Sequence, residues 1–144
     1  MKLNLDCVRQ ILFCVEENTG LRKFCFFIDS GLENLYTSFG REPIPAPAYQ
    51  TELLKYFNND ELIYHIYYCA ETDLLSISTK PNEYKIIVTD ITPVGHDFLE
   101  NIRDNNVWSD VKNVATKVGS KSLDAVTQIA SSVISQIIKN QFGL

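Results

Sequence analysis

Residues 58–93, NNDELIYHIYYCAETDLLSISTKPNEYKIIVTDITP, constrain the fold of this chain more than any other stretch. Asp60 and Glu61 stand where a first helical turn favours carboxylates, facing the positive end of the helix dipole. Leu62, Ile66, Cys69 and Ala70 then recur at spacings that put them on one helical face. Past Leu74 the period changes. Leu75, Ile77 and Thr79 alternate with Ser76 and Ser78, as in a half-buried strand. Lys80-Pro81-Asn82-Glu83 is turn chemistry, and Tyr84 to Ile91 is β-branched and aromatic enough to be the return strand. Thr92 supplies an N-cap oxygen, and Pro93 suits the first position of the next helix, where its missing N–H costs nothing. The expectation is a helix over about 60–72, antiparallel strands over 75–79 and 84–91, and a helix from Pro93.

Helix, strand, turn, strand, helix is the second half of a winged helix-turn-helix. Tyr64-His65-Ile66, Leu74-Leu75, Ile91-Thr92-Pro93 and Gly95-His96 carry that pattern. Together with Met1-Lys2-Leu3, the helix Asp6–Glu17, and the run from Gly95 through Asp104 to Val107-Trp108, the chain resembles the phage and prophage family called domain of unknown function 2513. The resemblance covers most of the chain, with residues 20–57 as the exception, and implies no activity. One departure is Thr72-Asp73, where the family favours Ala-Gly; glycine eases a left-handed helix end, and aspartate adopts it at some cost.

The fold class expected is α+β: a winged helix-turn-helix with a small antiparallel β wing and a C-terminal helical extension. Residues 1–106 would form the winged-helix domain, with an inserted loop region at about 20–57, and 107–144 the extension. Asp6–Asn18 is a helix with an apolar stripe of Cys7, Val8, Ile11, Leu12, Cys14 and Val15, closed by Gly20 as a C-terminal cap. Phe24–Ile28 is the small strand that pairs with the wing. Leu32–Tyr36 could be a further short strand, and the alternating prolines of 40–47 force a loop. Tyr49–Phe57 is a short helix with Leu53, Leu54 and Phe57 inward. Pro93–Asp104 follows the wing, with Val94, Phe98, Leu99 and Ile102 inward, and Asn105-Asn106 breaks it. Val107–Val118 is next. Gly119-Ser120 is a stop and a cap, with Ser122 the alternative cap. The last helix, about Lys121–Gln141, carries Leu123, Val126, Ala130, Val133 and Ile137 at spacings of three, four, three and four. That is a heptad seam, widened by Ile129, Ile134 and Ile138, and it suggests packing on the domain together with homodimerisation.

The composition excludes several classes. Forty-five per cent of the residues are hydrophobic, enough for a core, yet no apolar run reaches the length of a membrane span. Leu3-Asn4-Leu5-Asp6 interrupts any signal-peptide pattern, which points to the cytoplasm of a bacterial host cell. The four cysteines, Cys7, Cys14, Cys25 and Cys69, form no Cys-x-x-Cys pair and lie apart from both histidines, so neither metal nor any other cofactor is expected. No Ser-His-Asp spacing and no glycine-rich phosphate loop is present, and a non-catalytic protein is expected. Residues 58–106 carry nine acids and three bases, a net of −6, within a chain whose net charge is −5. An acidic reading head counts against phosphate binding.

Two functions compete. The fold analogy puts first a regulator that binds double-stranded DNA as a homodimer, with Asn58, Asn59, Tyr64, His65, Tyr68, Lys80 and Lys85 as its contacts. The alternative is an acidic module that engages a host or defence protein through Tyr64, Tyr67 and Tyr68, since tyrosine is enriched at interface hot spots. For His65 the plainer reading is preferred, a ring packed against the wing with one backbone carbonyl as partner. For the tyrosines, cover by the 30–47 loop and cover by a partner both stand.

Overall fold

The structure is a computed structural model and describes residues 1–80 and 82–143; Pro81, which belongs to the turn expected over 80–83, and Leu144 lie outside the described residues. The chain is mixed α+β. Its elements are α1 (Leu5–Asn18), β1 (Cys25–Ile28), α2 (Ser30–Ser38), α3 (Ala48–Leu53), α4 (Asn59–Glu71), β2 (Leu75–Ile77), β3 (Lys85–Ile91), α5 (Pro93–Ile102), α6 (Asn105–Val118) and α7 (Leu123–Phe142).

The 58–93 stretch folds as its pattern dictates. The Asn58 side chain caps α4 by accepting from the Glu61 N–H, and the helix buries Leu62, Ile63, Ile66 and Cys69. Removing each large aliphatic side chain from water is worth roughly 1.5–3 kcal/mol. Asp73 ends the helix at φ 64 and Asn82 turns the hairpin at φ 67, the two non-glycine residues with positive φ among those described. Aspartate and asparagine are the non-glycine residues that visit the left-handed conformation most readily. Strand order is β1-β3-β2, all antiparallel, with Cys25 opposite Val88, Phe27 opposite Ile86 and Leu75 opposite Ile91. Pairing continues beyond β2 through a register shift, where Ser78 N–H donates to Ile87 O at 2.9 Å and the Thr79 hydroxyl accepts from Ile87 N–H at 2.7 Å. Thr92 caps α5 through Gly95 N–H, with proline at its start. At Gly95 the backbones of α5 and the α4–β2 turn nearly touch: a Cβ there would lie 2.2 Å from Leu74 O.

One buried cluster runs from Leu5 to Ala130 and draws on α1, α4, the inner sheet face, α5, α6 and the first half of α7. Arg9 holds the α5–α6 junction. Its guanidinium is almost fully buried, donates to Ile102 O, Arg103 O and Asn105 Oδ1 at 3.1, 2.8 and 2.9 Å, and lies against Phe13 and Trp108. Ile102 O and Arg103 O are carbonyls that the end of α5 leaves without helical partners, and a cation there is favoured by the dipole of that helix.

Several expectations need correction. Leu32–Tyr36 is not a strand but part of α2, because Asp29 caps the first turn through Gly31 and Leu32 N–H. Gly20 does not cap α1; the helix ends on extended Thr19, and Gly20 instead pairs with Lys23 across a tight turn. Helix α3 stops at Leu53 and Leu54 is exposed rather than inward; in the first turn of α5 Val94 is exposed as well, while Leu53, Phe57, Phe98, Leu99 and Ile102 are buried. Asn105-Asn106 does not break a helix; Asp104 caps the next one by accepting from Asn106 and Val107 N–H, so α6 begins there. Gly119 closes α6 at φ 74, and Ser122 is the cap of α7.

Candidate interaction surface of the central helix

Two sides of α4 present very different chemistry. On the inner side His65 is fully buried. Its Nε2 accepts from Asn4 N–H at 2.7 Å, which leaves Nδ1–H to donate to Glu61 O, also at 2.7 Å. The ring is therefore neutral, in one tautomer, with both nitrogens used. The plainer reading of His65 holds for its one backbone carbonyl partner, Glu61 O, but its other partner is Asn4 at the entry to α1 and not the wing. Asn58 is spent on the helix cap, and Asn59 ties α4 to α2, accepting from Ser30 N–H at 2.9 Å and donating to Asp29 Oδ1 at 3.1 Å. Three of the seven candidate contacts are thus structural.

On the outer side Asp60, Tyr64, Tyr68 and Glu71 follow one another at helical spacing. Tyr64 is 40% exposed; Tyr68 is half-buried against the core, with its ring centroid 6.1 Å from that of Tyr64. Tyr67 turns toward α2, where burial and then the Asp29 carboxylate push its phenol above the ordinary range. Helix α2 runs on to the hairpin. The Tyr36 hydroxyl donates to Asn82 O at 2.7 Å, and Arg41 lies over Tyr36 and Tyr84. This cover leaves Tyr64 open. Lys80 is exposed on the β2–β3 connection, whereas Lys85 sits 4.6 Å above the Phe26 ring, half-buried.

Beside the α4 N-terminus is an open cleft of about 410 Å³ whose lining includes Lys2, Lys112 and Lys121 together with Asp6 and Glu61. Asp6 accepts from Trp108 Nε1 at 2.8 Å and from Lys112 at 3.0 Å. Burial raises its carboxyl, but these two bonds and the lysine charge outweigh it and hold it below the usual range. All four cysteines are free and buried; desolvation pushes Cys7 and Cys14 up to about 12 and Cys25 to about 11, so these thiols are inert. Among the described residues no cluster of His, Cys, Asp and Glu is placed to hold a metal, and no helix is long and apolar enough to cross a membrane.

The dimerisation set divides. Leu123, Val126 and Ala130 are fully buried inside their own chain, which removes them from any intermolecular seam. Val133 is half-buried and Ile137 is 38% exposed.

Sequence reasoning missed how the outer edge of β1 is closed. Gln50 on α3 accepts from Ile28 N–H at 2.8 Å and donates to Ile28 O at 2.7 Å. The Tyr49 hydroxyl does the same for Phe26, accepting at 2.8 Å and donating at 2.6 Å. Two side chains thus replace a neighbouring strand and blunt an edge that would otherwise invite pairing. The one signal for this was a glutamine beside a tyrosine on a short helix that otherwise turns leucine and phenylalanine inward.

Residues 2–121 match the family described as Hypothetical protein (DUF2513). The chain is also 31% identical to an uncharacterized protein of Haemophilus influenzae (strain Rd) over 139 residues, covering 96% of this chain and 99% of that one. No solved structure matches. The chain belongs to the DUF2513 family.

Proposed function

We propose that this DUF2513 member is a non-catalytic protein-binding module on a winged-helix framework, engaging a basic partner through the outer side of α4. The framework is supported by element order, helix and strand followed by three helices and a hairpin, with the first strand joined to the hairpin in the order β1-β3-β2. The observation that carries the binding mode is the α4 stripe of Asp60, Tyr64, Tyr68 and Glu71, beside inward-tied Asn59 and His65. A carboxylate about 4 Å from a phosphate is repelled by roughly 1 kcal/mol even at the dielectric of water, and more at a protein surface. The same carboxylates attract arginine or lysine on a protein, while Tyr64 supplies rigid apolar area. A phage or prophage origin, which the earlier resemblance implies, would make the partner a host or defence protein.

A second reading is the homodimeric DNA-binding regulator, located in the host cytoplasm. Exposed Lys80 on the hairpin favours it, since that position meets the phosphate backbone when a winged helix docks on duplex. Two measurements separate the readings. Fluorescence anisotropy with random duplex at low salt should show negligible binding, and a photo-crosslinking residue in place of Tyr64 should capture a protein in bacterial cells. Salt-sensitive duplex binding that is lost in the Lys80→Glu, Lys85→Glu variant would overturn the first reading in favour of the second.

A further inference from the structure

Among the described residues β1 has β3 on one side and no strand on the other. Its outward backbone groups are nevertheless satisfied. Gln50 takes both the N–H and the carbonyl of Ile28, at 2.8 and 2.7 Å, and the Tyr49 hydroxyl takes both those of Phe26, at 2.8 and 2.6 Å. Alternate residues that each meet one donor and one acceptor are what an antiparallel strand presents to its neighbour. Helix α3 therefore stands where a fourth strand would lie.

This helix is lightly fastened. It has six residues, starts after Pro47 with no side-chain cap, and buries Gln50 and Leu53. The elements on either side are anchored without it. Asn59 at the start of α4 is bonded to Asp29 and Ser30 at the start of α2. Ser38 and Asn59 are thus separated by roughly the length of α2, about 14 Å for its nine residues. The chain between them, residues 39–58, could reach roughly 65 Å when extended. Helix α3 can leave β1 while α2, α4 and the sheet stay in place.

We propose that α3 is a releasable clasp, and that the strand it keeps out is β1 of a second copy of this chain, antiparallel about Phe27. Two observations favour a second copy. The edge is complementary to itself: with Phe27 on the two-fold axis, Phe26 of each copy faces Ile28 of the other. Those are the residues whose N–H and carbonyl point outward, so four hydrogen bonds form and none of these groups is stranded. The edge is also neutral. Cys25-Phe26-Phe27-Ile28 carries no charge, so copies with a net charge of −5 meet where repulsion is least. On release the Gln50 amide and Tyr49 hydroxyl pass into water. Leu53, 8% exposed when α3 is docked, returns to water as well, and its burial keeps the closed form dominant in the intact chain. This device does not depend on what α4 binds.

Sedimentation velocity of the full chain tests it, at up to hundreds of micromolar because a four-residue strand makes a small interface. The intact chain should sediment at 16.4 kDa. Tyr49→Phe with Gln50→Ala withdraws all four side-chain bonds and should produce a species of twice 16.4 kDa, its dissociation constant at least about tenfold below that of the intact chain. Phe26→Pro added to that variant removes an outward N–H that β3 does not use, and should restore the 16.4 kDa species with the far-ultraviolet spectrum of the intact chain. In the intact chain the Phe26 and Ile28 amides should exchange with deuterium at least about tenfold faster than the Phe27 amide, which faces β3, because local release of α3 frees them. A Tyr49→Phe, Gln50→Ala variant that stays at 16.4 kDa or associates beyond two copies, a dimer that survives Phe26→Pro, or Phe26 and Ile28 amides as slow as that of Phe27 overturns the proposal.

Discussion

On one side of α4, His65 is fully buried and both ring nitrogens are held at 2.7 Å; one position earlier, Tyr64 keeps two-fifths of its surface in water. The same contrast separates Asn59, bonded to two groups of the α2 entry, from Asp60, whose bond to the Asn59 amide leaves it exposed. Residue type therefore does not distinguish a scaffold group from a solvent-facing group on this helix; commitment of its polar atoms does. A buried donor or acceptor that loses its partner costs about 1–3 kcal/mol, so the inner side has little freedom to change. The outer side carries no such penalty.

The comparison breaks first at its foundation, the close approach that fixes α4 and its turn against α5. Gly95→Ala would drive a methyl group to 2.2 Å from Leu74 O and 2.7 Å from the Ile91 side chain. A carbonyl cannot yield as a side-chain end can, so α5 must shift away from the turn. The expected loss is about 3 kcal/mol or more, seen in chemical denaturation. A loss below about 1 kcal/mol would mean that α5 is not rigidly seated and that the inner side is looser than its hydrogen bonds imply.

His65→Ala comes next. It removes two hydrogen bonds, strands Asn4 N–H at the entry to α1, and opens a cavity in the core. About 2–4 kcal/mol should be lost. His65→Asn tests the cause, because it keeps a polar group but shortens its reach; it should recover little of that loss, as read by denaturant midpoint at constant slope. Full recovery would leave the hydrogen-bond geometry without weight in the comparison.

Why His65 was legible only in outline follows from the same geometry. A strand alternation, a cap followed by proline, and a helix stripe are written within a few residues, and the 58–93 stretch folds accordingly, down to Thr92 and the left-handed Asp73. Partners of the buried polar groups lie far along the chain. Asn4 is 61 residues from His65, Ile102 is 93 from Arg9, and Ile28 is 22 from Gln50. No local period encodes such pairings. Helix α2 was missed for a different reason. Its buried-residue signal is absent, since it rests on the hairpin and on the start of α4 without entering the core, and so its leucines could pass for a strand's. The α7 stripe was plain in sequence, but a stripe does not say which half is covered by its own chain.

The smallest expected effect is the sharpest test of the comparison. Tyr64 extends into solvent beside Tyr68 and the edge of the His65 ring, and it makes no hydrogen bond among the described residues. Tyr64→Ala forfeits two aromatic contacts and some partly buried area, none of which leaves a polar atom stranded. Its cost to folding should be about 0.5–1 kcal/mol at most, several times less than that of its neighbour His65. Asp60→Asn in the same background should add little, because the first helical turn keeps Glu61 and its Asn58 cap. If the pair is nearly neutral in denaturation yet removes the crosslinked partner, the outer side is a surface kept for binding. If Tyr64→Ala alone costs as much as His65→Ala, the ring is a packing element of the α1–α4 junction, and the division between the two sides of α4 does not hold.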